Sequence, residues 1–175
     1  SFLKDIKVHG IYYNSFTHYL NLYPFIKKEH FHDIYTLLLF TAGNGILRIN
    51  NMDRAVQQQT ICLIAPGQMH SFEGLEDMEG IVFFFCQDFY VEEFSFMRLL
   101  DVFSCTSQIN GYDCNPSIVL SDKEFSPVID LIRTVGHEYE SYTRTNNSAI
   151  VIRSLLNIIL LKLSELFAVK SGKLN

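Results

Sequence analysis

The hydrophobic pattern of this chain changes period once, close to Cys86, and no other feature restricts its fold so strongly. Before that point, apolar residues come in short alternating or continuous runs rich in Phe, Tyr, Ile, Val and Leu, the pattern of strands whose side chains alternate between two faces. Residues 15–23, 34–41, 45–50, 54–58, 60–65, 70–72 and 78–86 are the predicted strands. The residues between them suit tight turns: Gly43-Asn44-Gly45 and Asn50-Asn51 tolerate positive φ, and Pro66-Gly67 closes a loop. Many short strands joined in this way make a sandwich or a small barrel.

Beyond Cys86 the period becomes helical. Residues 88–100 read as a short helix, whereas residues 103–120, with Asn110-Gly111 and Asn115-Pro116, have no convincing period and read as loop. Ser121-Asp122-Lys123-Glu124 is a capping-box sequence, and behind it Phe125, Val128, Ile129, Ile132, Val135 and Tyr139 form one apolar stripe. Gly136 costs this helix about 1 kcal/mol relative to Ala, so it either permits close packing or marks a weak point. A second helix starts near Asn147-Ser148 and runs to about Val169. Twelve of the eighteen residues 150–167 are apolar, too many for one buried stripe. Ile152, Leu156, Ile159, Leu163 and Leu166 follow the 4-3-4-3 rhythm of a coiled-coil seam and are the expected homodimer contact. Val151, Leu155 and Ile158 form a neighbouring stripe that would pack on the first helix or on the barrel. One broad buried face within a monomer is the alternative.

A chain of 175 residues fits one domain with its own core. Its net charge of -5 lacks the positive field that nucleic-acid binding requires, so any contact with DNA must come from another segment. Cys62, Cys86, Cys105 and Cys114 match no metal or redox spacing, and Cys62 and Cys86 sit in apolar runs as reduced core residues do, which suits the cytoplasm. No apolar stretch reaches the length of a membrane span.

Two clusters carry the chemistry. One is His30-Phe31-His32, followed by a strand ending at Gly43; the other is Pro66-Gly67-Gln68-Met69-His70. Alternation along a strand puts His30 and His32 on one face, where His70 meets them if the barrel closes. These motifs resemble those of the cupin superfamily and, more narrowly, the N-terminal domain of AraC-type transcription regulators, over roughly residues 11–167. Metal-binding cupins usually carry a Glu a few residues after the HxH; here that position is Thr36, and the Gly-Asp often found before the Pro-Gly turn is Gln59-Thr60.

The resemblance implies a mainly β chain with C-terminal α structure, a cupin-like double-stranded β-barrel followed by an antiparallel helical hairpin. Residues 1–120 would form the sensory barrel with an N-terminal arm and a short helix. Residues 121–169 would form the dimerisation hairpin of the same unit, and residues 170–175 the start of a linker to a helix-turn-helix domain. The implied partners are a small-molecule effector such as a sugar or other small metabolite, a second copy of the chain, and DNA through that further domain only. No catalytic residue, metal or cofactor is expected. His30, His32, Thr36, His70, Phe72, Val82 and Phe84 are the expected effector-binding residues, a few polar groups among apolar ones. Phe72, Val82 and Phe84 would equally serve as barrel filler, whereas Phe83-Phe84-Phe85 must face both sides of a sheet. Asp101, Glu92, Glu93 and Glu124 read as solvated helix faces or caps. The alternative is a stand-alone metal-dependent cupin enzyme, an oxygenase or isomerase using His30, His32 and His70.

Overall fold

The structure is a computed structural model that describes residues 6, 9–75, 77–89, 116–142 and 147–170. Two antiparallel sheets form its β part. Strands β1 (Ile11–Ser15), β2 (Tyr35–Ala42), β5 (Thr60–Ile64), β7 (Glu79–Phe85) and β8 (Ser117–Val119) make the larger sheet in the order β1-β7-β2-β5-β8. The smaller sheet has the order β4-β3-β6, from β3 (Asn44–Ile49), β4 (Met52–Gln57) and β6 (His70–Glu73). Helices α2 (Asp122–Glu140) and α3 (Ser148–Lys170) follow, so the chain has the mainly β architecture with a C-terminal helical hairpin that its periodicity leads one to expect.

Sequence patterning explains why the larger sheet lies in the middle. In β2 the first six residues are all buried and in β5 all five, because both faces of this sheet are covered and a continuous apolar run is required. In β4, by contrast, burial is intermittent, as in a strand with one face in water. Leu38, Phe40, Cys62, Ile64, Val82 and Phe84 point from the larger sheet toward Leu47, Ile49, Val56 and Phe72 of the smaller one, and these residues line the barrel lumen. Leu37, Leu39, Ile61, Leu63, Phe83 and Phe85 point the other way, into a second core shared with α2 and α3. The Phe83-Phe84-Phe85 run therefore does face both sides.

The first predicted strand, residues 15–23, is a correction. Only Ile11–Ser15 is a strand; Ser15 then caps helix α1 (Phe16–Leu22) by accepting a hydrogen bond from the His18 amide, and a 3-10 turn (Pro24–Lys27) follows. The aromatic residues that read as strand-formers are instead barrel filler. Phe16 packs edge-on against Phe40 and Phe72 at ring-centroid distances of 5.1 and 5.8 Å, and Tyr19 lies 5.2 Å from Phe84. Tertiary packing overrides propensity here.

A second correction concerns β8, which occupies part of the stretch read as loop. Three residues give no period to detect, and the strand exists through its pairing with Thr60, Ile61 and Cys62 of β5. The expected helix over residues 88–100 has only its first two residues among those described, in a 3-10 turn (Gln87–Phe89). Cys105 and Cys114, the acidic residues Glu92, Glu93 and Asp101, most of the N-terminal arm and residues 171–175 lie outside the described residues.

Helix α2 starts as its capping sequence requires: Glu124 reaches back to accept from both the amide and the hydroxyl of Ser121, at 2.8 and 2.9 Å. Lys170, at the far end of α3, pairs with the same carboxylate at 3.0 Å, which fixes the two helices as antiparallel neighbours. Gly136 is a close-packing site, since a Cβ there would stand 2.5 Å from the Tyr13 ring of β1.

The expected dimer seam is a third correction. Ile152, Leu156, Ile159 and Leu163 are fully buried within the chain's own second core, and Leu166 packs at its edge. The sheet and α2 already cover the stripe, so it is not available to a partner. Exposed instead are Ile150, Val151, Ile158 and Leu161 on the outer face of α3, while Leu155 is partly buried.

Candidate functional site at the barrel mouth

The two sequence clusters meet as expected, although by a different route. His30 and His32 lie on no regular strand. Instead a single antiparallel bridge joins His30 to His70, with each backbone amide donating to the other's carbonyl at 2.9 and 2.8 Å. The Gly67 amide donates to the His32 carbonyl at 2.8 Å, from a turn in which Gly67 has φ +78 and so needs no Cβ. Gln68 supports the turn by accepting the Ala65 amide on its side-chain oxygen at 2.7 Å.

This framework brings the three imidazoles together, tilted or edge-on to one another. The His30 ring centroid is 4.3 Å from that of His70 and 4.8 Å from that of His32, and one ring nitrogen from each histidine lies within 4.8 Å of the other two. Nδ1 of His30 lies 2.8 Å from the Lys28 carbonyl and Nδ1 of His70 lies 2.8 Å from the Gln68 carbonyl. A carbonyl only accepts, so Nδ1 carries the hydrogen in both neutral rings and Nε2 keeps its lone pair. Burial makes charge unfavourable in this cluster. It pushes the His70 pKa down to about 3 and that of His32 to about 4, each helped by the neighbouring imidazoles, and it lowers His30 as well.

Depth increases from His30 and His32, which are half-buried, to His70, which is buried. Phe72 touches the His70 ring edge-on at 6.2 Å, and Phe84 touches His32 at 5.7 Å. Thr36 lies in β2 between Ile64 of β5 and Phe84 of β7, on the lumen face. It is 2% exposed and its hydroxyl has no hydrogen-bond partner among the described residues. Val82 shares the lumen face but sits further along β7, opposite Leu38 and Asn14, where it serves the core and not the histidine cluster.

Sequence reasoning missed Phe16 and Tyr19, which close the lumen from α1. The signal was present in Ser15, an N-cap residue, and in Pro24 just after the helix. It also missed the part played by the Lys28 and Gln68 carbonyls in fixing the tautomers, since main-chain acceptors leave no mark on a sequence.

Residues 16–86, which contain all of these groups, match the AraC-like ligand binding domain family. No curated protein matches this chain. Similar solved structures include the AraC-like transcriptional activator CuxR, with 12% identity over 74% of this chain and 43% of that one and a TM-score of 0.46. ToxT from Vibrio cholerae is similar at 8% identity over 90% of this chain and 57% of that one, also with a TM-score of 0.46. Acireductone dioxygenase from Bacillus anthracis, with cadmium in its active centre, is similar at 16% identity over 46% of this chain and 51% of that one, with a TM-score of 0.34. The chain spans about half the length of the solved structures it matches.

Proposed function

We propose that this chain is the effector-sensing and dimerisation domain of an AraC-type transcription regulator, with no catalytic role of its own. The observation that carries the reading is the barrel mouth, where the neutral His30 and His70 imidazoles, each with its Nε2 lone pair, stand over a lumen in which the Thr36 hydroxyl is buried without a hydrogen-bond partner among the described residues. A small hydroxylated molecule answers both needs, since its hydroxyl groups donate to imidazole nitrogens and pair with the Thr36 hydroxyl. Phe72 and Phe84 would bound its apolar side. The match of residues 16–86 to a ligand-binding family supports the same reading.

The larger sheet offers a route for signalling. Phe84 faces the site while Phe83 and Phe85 face α2 and α3, so a shift of β7 on binding is felt by the hairpin. A ligand changes that equilibrium only by its difference in affinity for the two arrangements. In this reading the outer face of α3 meets a second copy, and DNA is contacted by a further domain in the cytoplasm. Among the described residues, no helix is long and apolar enough to cross a membrane.

Thermal unfolding with a panel of monosaccharides and other small polyols tests the proposal. At least one compound is expected to raise Tm in the wild type, with the effect lost in Thr36→Val and His70→Gln. A panel-wide absence of effect, or an effect equal in the variants, contradicts it.

The three-histidine cluster favours one second reading, a metal site. Three neutral imidazoles, two of them held through Nδ1 by backbone carbonyls, are a donor set that zinc accepts. Thr36, however, stands where metal-binding cupins usually carry a carboxylate. Elemental analysis of untagged protein is expected to find no stoichiometric transition metal. One metal per chain, lost in His30→Ala or His70→Ala, would establish the second reading instead.

A further inference from the structure

A separate cavity of about 320 Å³ opens on the far side of the larger sheet, where the N-terminal segment, the 3-10 turn after β7 and the start of α3 meet. The size is at the lower end of small-molecule sites. Its frame is fastened by contacts between those elements. The Tyr142 hydroxyl donates to the His9 carbonyl at 3.1 Å, and Arg153 Nε donates to the Phe89 carbonyl at 2.7 Å, with the guanidinium 5.0 Å from the centre of the Phe89 ring.

Its lining has three polar groups with unused bonding capacity. Arg153, an exposed residue, commits only Nε, and neither Nη atom has a hydrogen-bond partner among the described residues. Asp88, also exposed, lines the cavity too and has no hydrogen bond or ion pair among the described residues, so two residues of opposite charge border one space without pairing to each other. His9 Nδ1 is buried with no hydrogen-bond partner among the described residues. Ile6, Phe89 and Tyr142 supply the apolar wall.

An anion alone would answer Arg153 and leave Asp88 opposed to it; a cation alone would do the reverse. We propose that the cavity binds a small zwitterion, an α-amino acid with an apolar or aromatic side chain. Its carboxylate takes the two Nη donors of Arg153 in the planar fork that guanidinium favours, and its ammonium takes Asp88. The side chain lies on Ile6, Phe89 and Tyr142. Such a ligand ties the N-terminal segment and the hairpin to the edge of the barrel, and the site is independent of the barrel mouth.

Calorimetry and thermal unfolding with L-phenylalanine, L-leucine and the other standard amino acids test this, beside 3-phenylpropionate and phenethylamine, which each lack one of the two charges. An apolar or aromatic amino acid is expected to bind, and both truncated compounds to bind at least about tenfold more weakly. Arg153→Gln keeps a donor for the Phe89 carbonyl and Asp88→Asn keeps the side-chain shape; each should weaken binding by about tenfold or more with an unchanged circular dichroism spectrum. Thr36→Val should leave it intact, which separates this site from the barrel mouth. If no amino acid binds the wild type, if phenylpropionate or phenethylamine binds as well as phenylalanine, or if both variants bind normally, the assignment is wrong.

Discussion

Leaving a buried hydroxyl unsatisfied costs about 1–3 kcal/mol, and Thr36 bears that cost in the ligand-free chain. Thr36→Val removes the hydroxyl at nearly constant volume, so it is expected to raise the free energy of unfolding in urea by about 1 kcal/mol while abolishing effector binding. Equal or lower stability would mean that the hydroxyl is satisfied. The histidines predict an opposite trend with pH. His70 and His32 have pKa values lowered to about 3 and about 4 when folded, against 6.5 when unfolded, so the unfolded state binds protons first. Their contribution is complete above about pH 7 and is lost as pH falls through 6.5 toward 4, by roughly 1–2 kcal/mol per histidine near pH 5.5. Urea midpoints measured between pH 7.5 and 5 should fall accordingly, and less steeply in His70→Gln; a flat profile would show these rings to be solvated. Gly43 has φ +81, and a Cβ there would meet the Asp77 carbonyl at 2.2 Å, so Gly43→Ala should cost at least about 2 kcal/mol. Its position in a turn was legible in the sequence.

Elements were legible where a period was long enough to read and where only one partner competed for the surface. Strands β2 to β7 and both C-terminal helices lie within a few residues of their sequence-based positions, because each carries four or more residues of unbroken pattern. Helix α1 was hidden because Phe16 and Tyr19 fill the barrel, where aromatic side chains are wanted whatever the backbone does. For α3, periodicity supplied two apolar stripes but not their direction, since direction depends on the sheet and α2, which are distant in sequence. The structure turns Ile159 inward and Ile158 outward. Ile159→Glu is therefore expected to unfold the chain, at a cost above about 3 kcal/mol, while Ile158→Glu should remain folded by circular dichroism. A folded Ile159→Glu variant would reverse the helix.

At the scale of the whole molecule, the larger sheet is the shared wall between two cores, one holding the barrel mouth and the other holding the hairpin. This arrangement follows from the continuous apolar runs of β2 and β5, so its outline was visible before the coordinates; the meeting of the three histidines was visible only as two motifs in the right order. What no pattern disclosed was the main-chain bridge from His30 to His70 that brings them together. The central claim is that these imidazoles, kept neutral, with the Nδ1–H tautomer fixed at His30 and His70, receive a small-molecule effector. Nitrogen NMR of the histidine rings, recorded near neutral pH with and without a compound that raises Tm, tests it most directly. The account predicts neutral Nδ1–H tautomers at His30 and His70 and a ligand-dependent shift of their Nε2 signals, with exposed His137 unchanged. Protonated rings, or Nε2 signals that stay in place when the compound is bound, would contradict it.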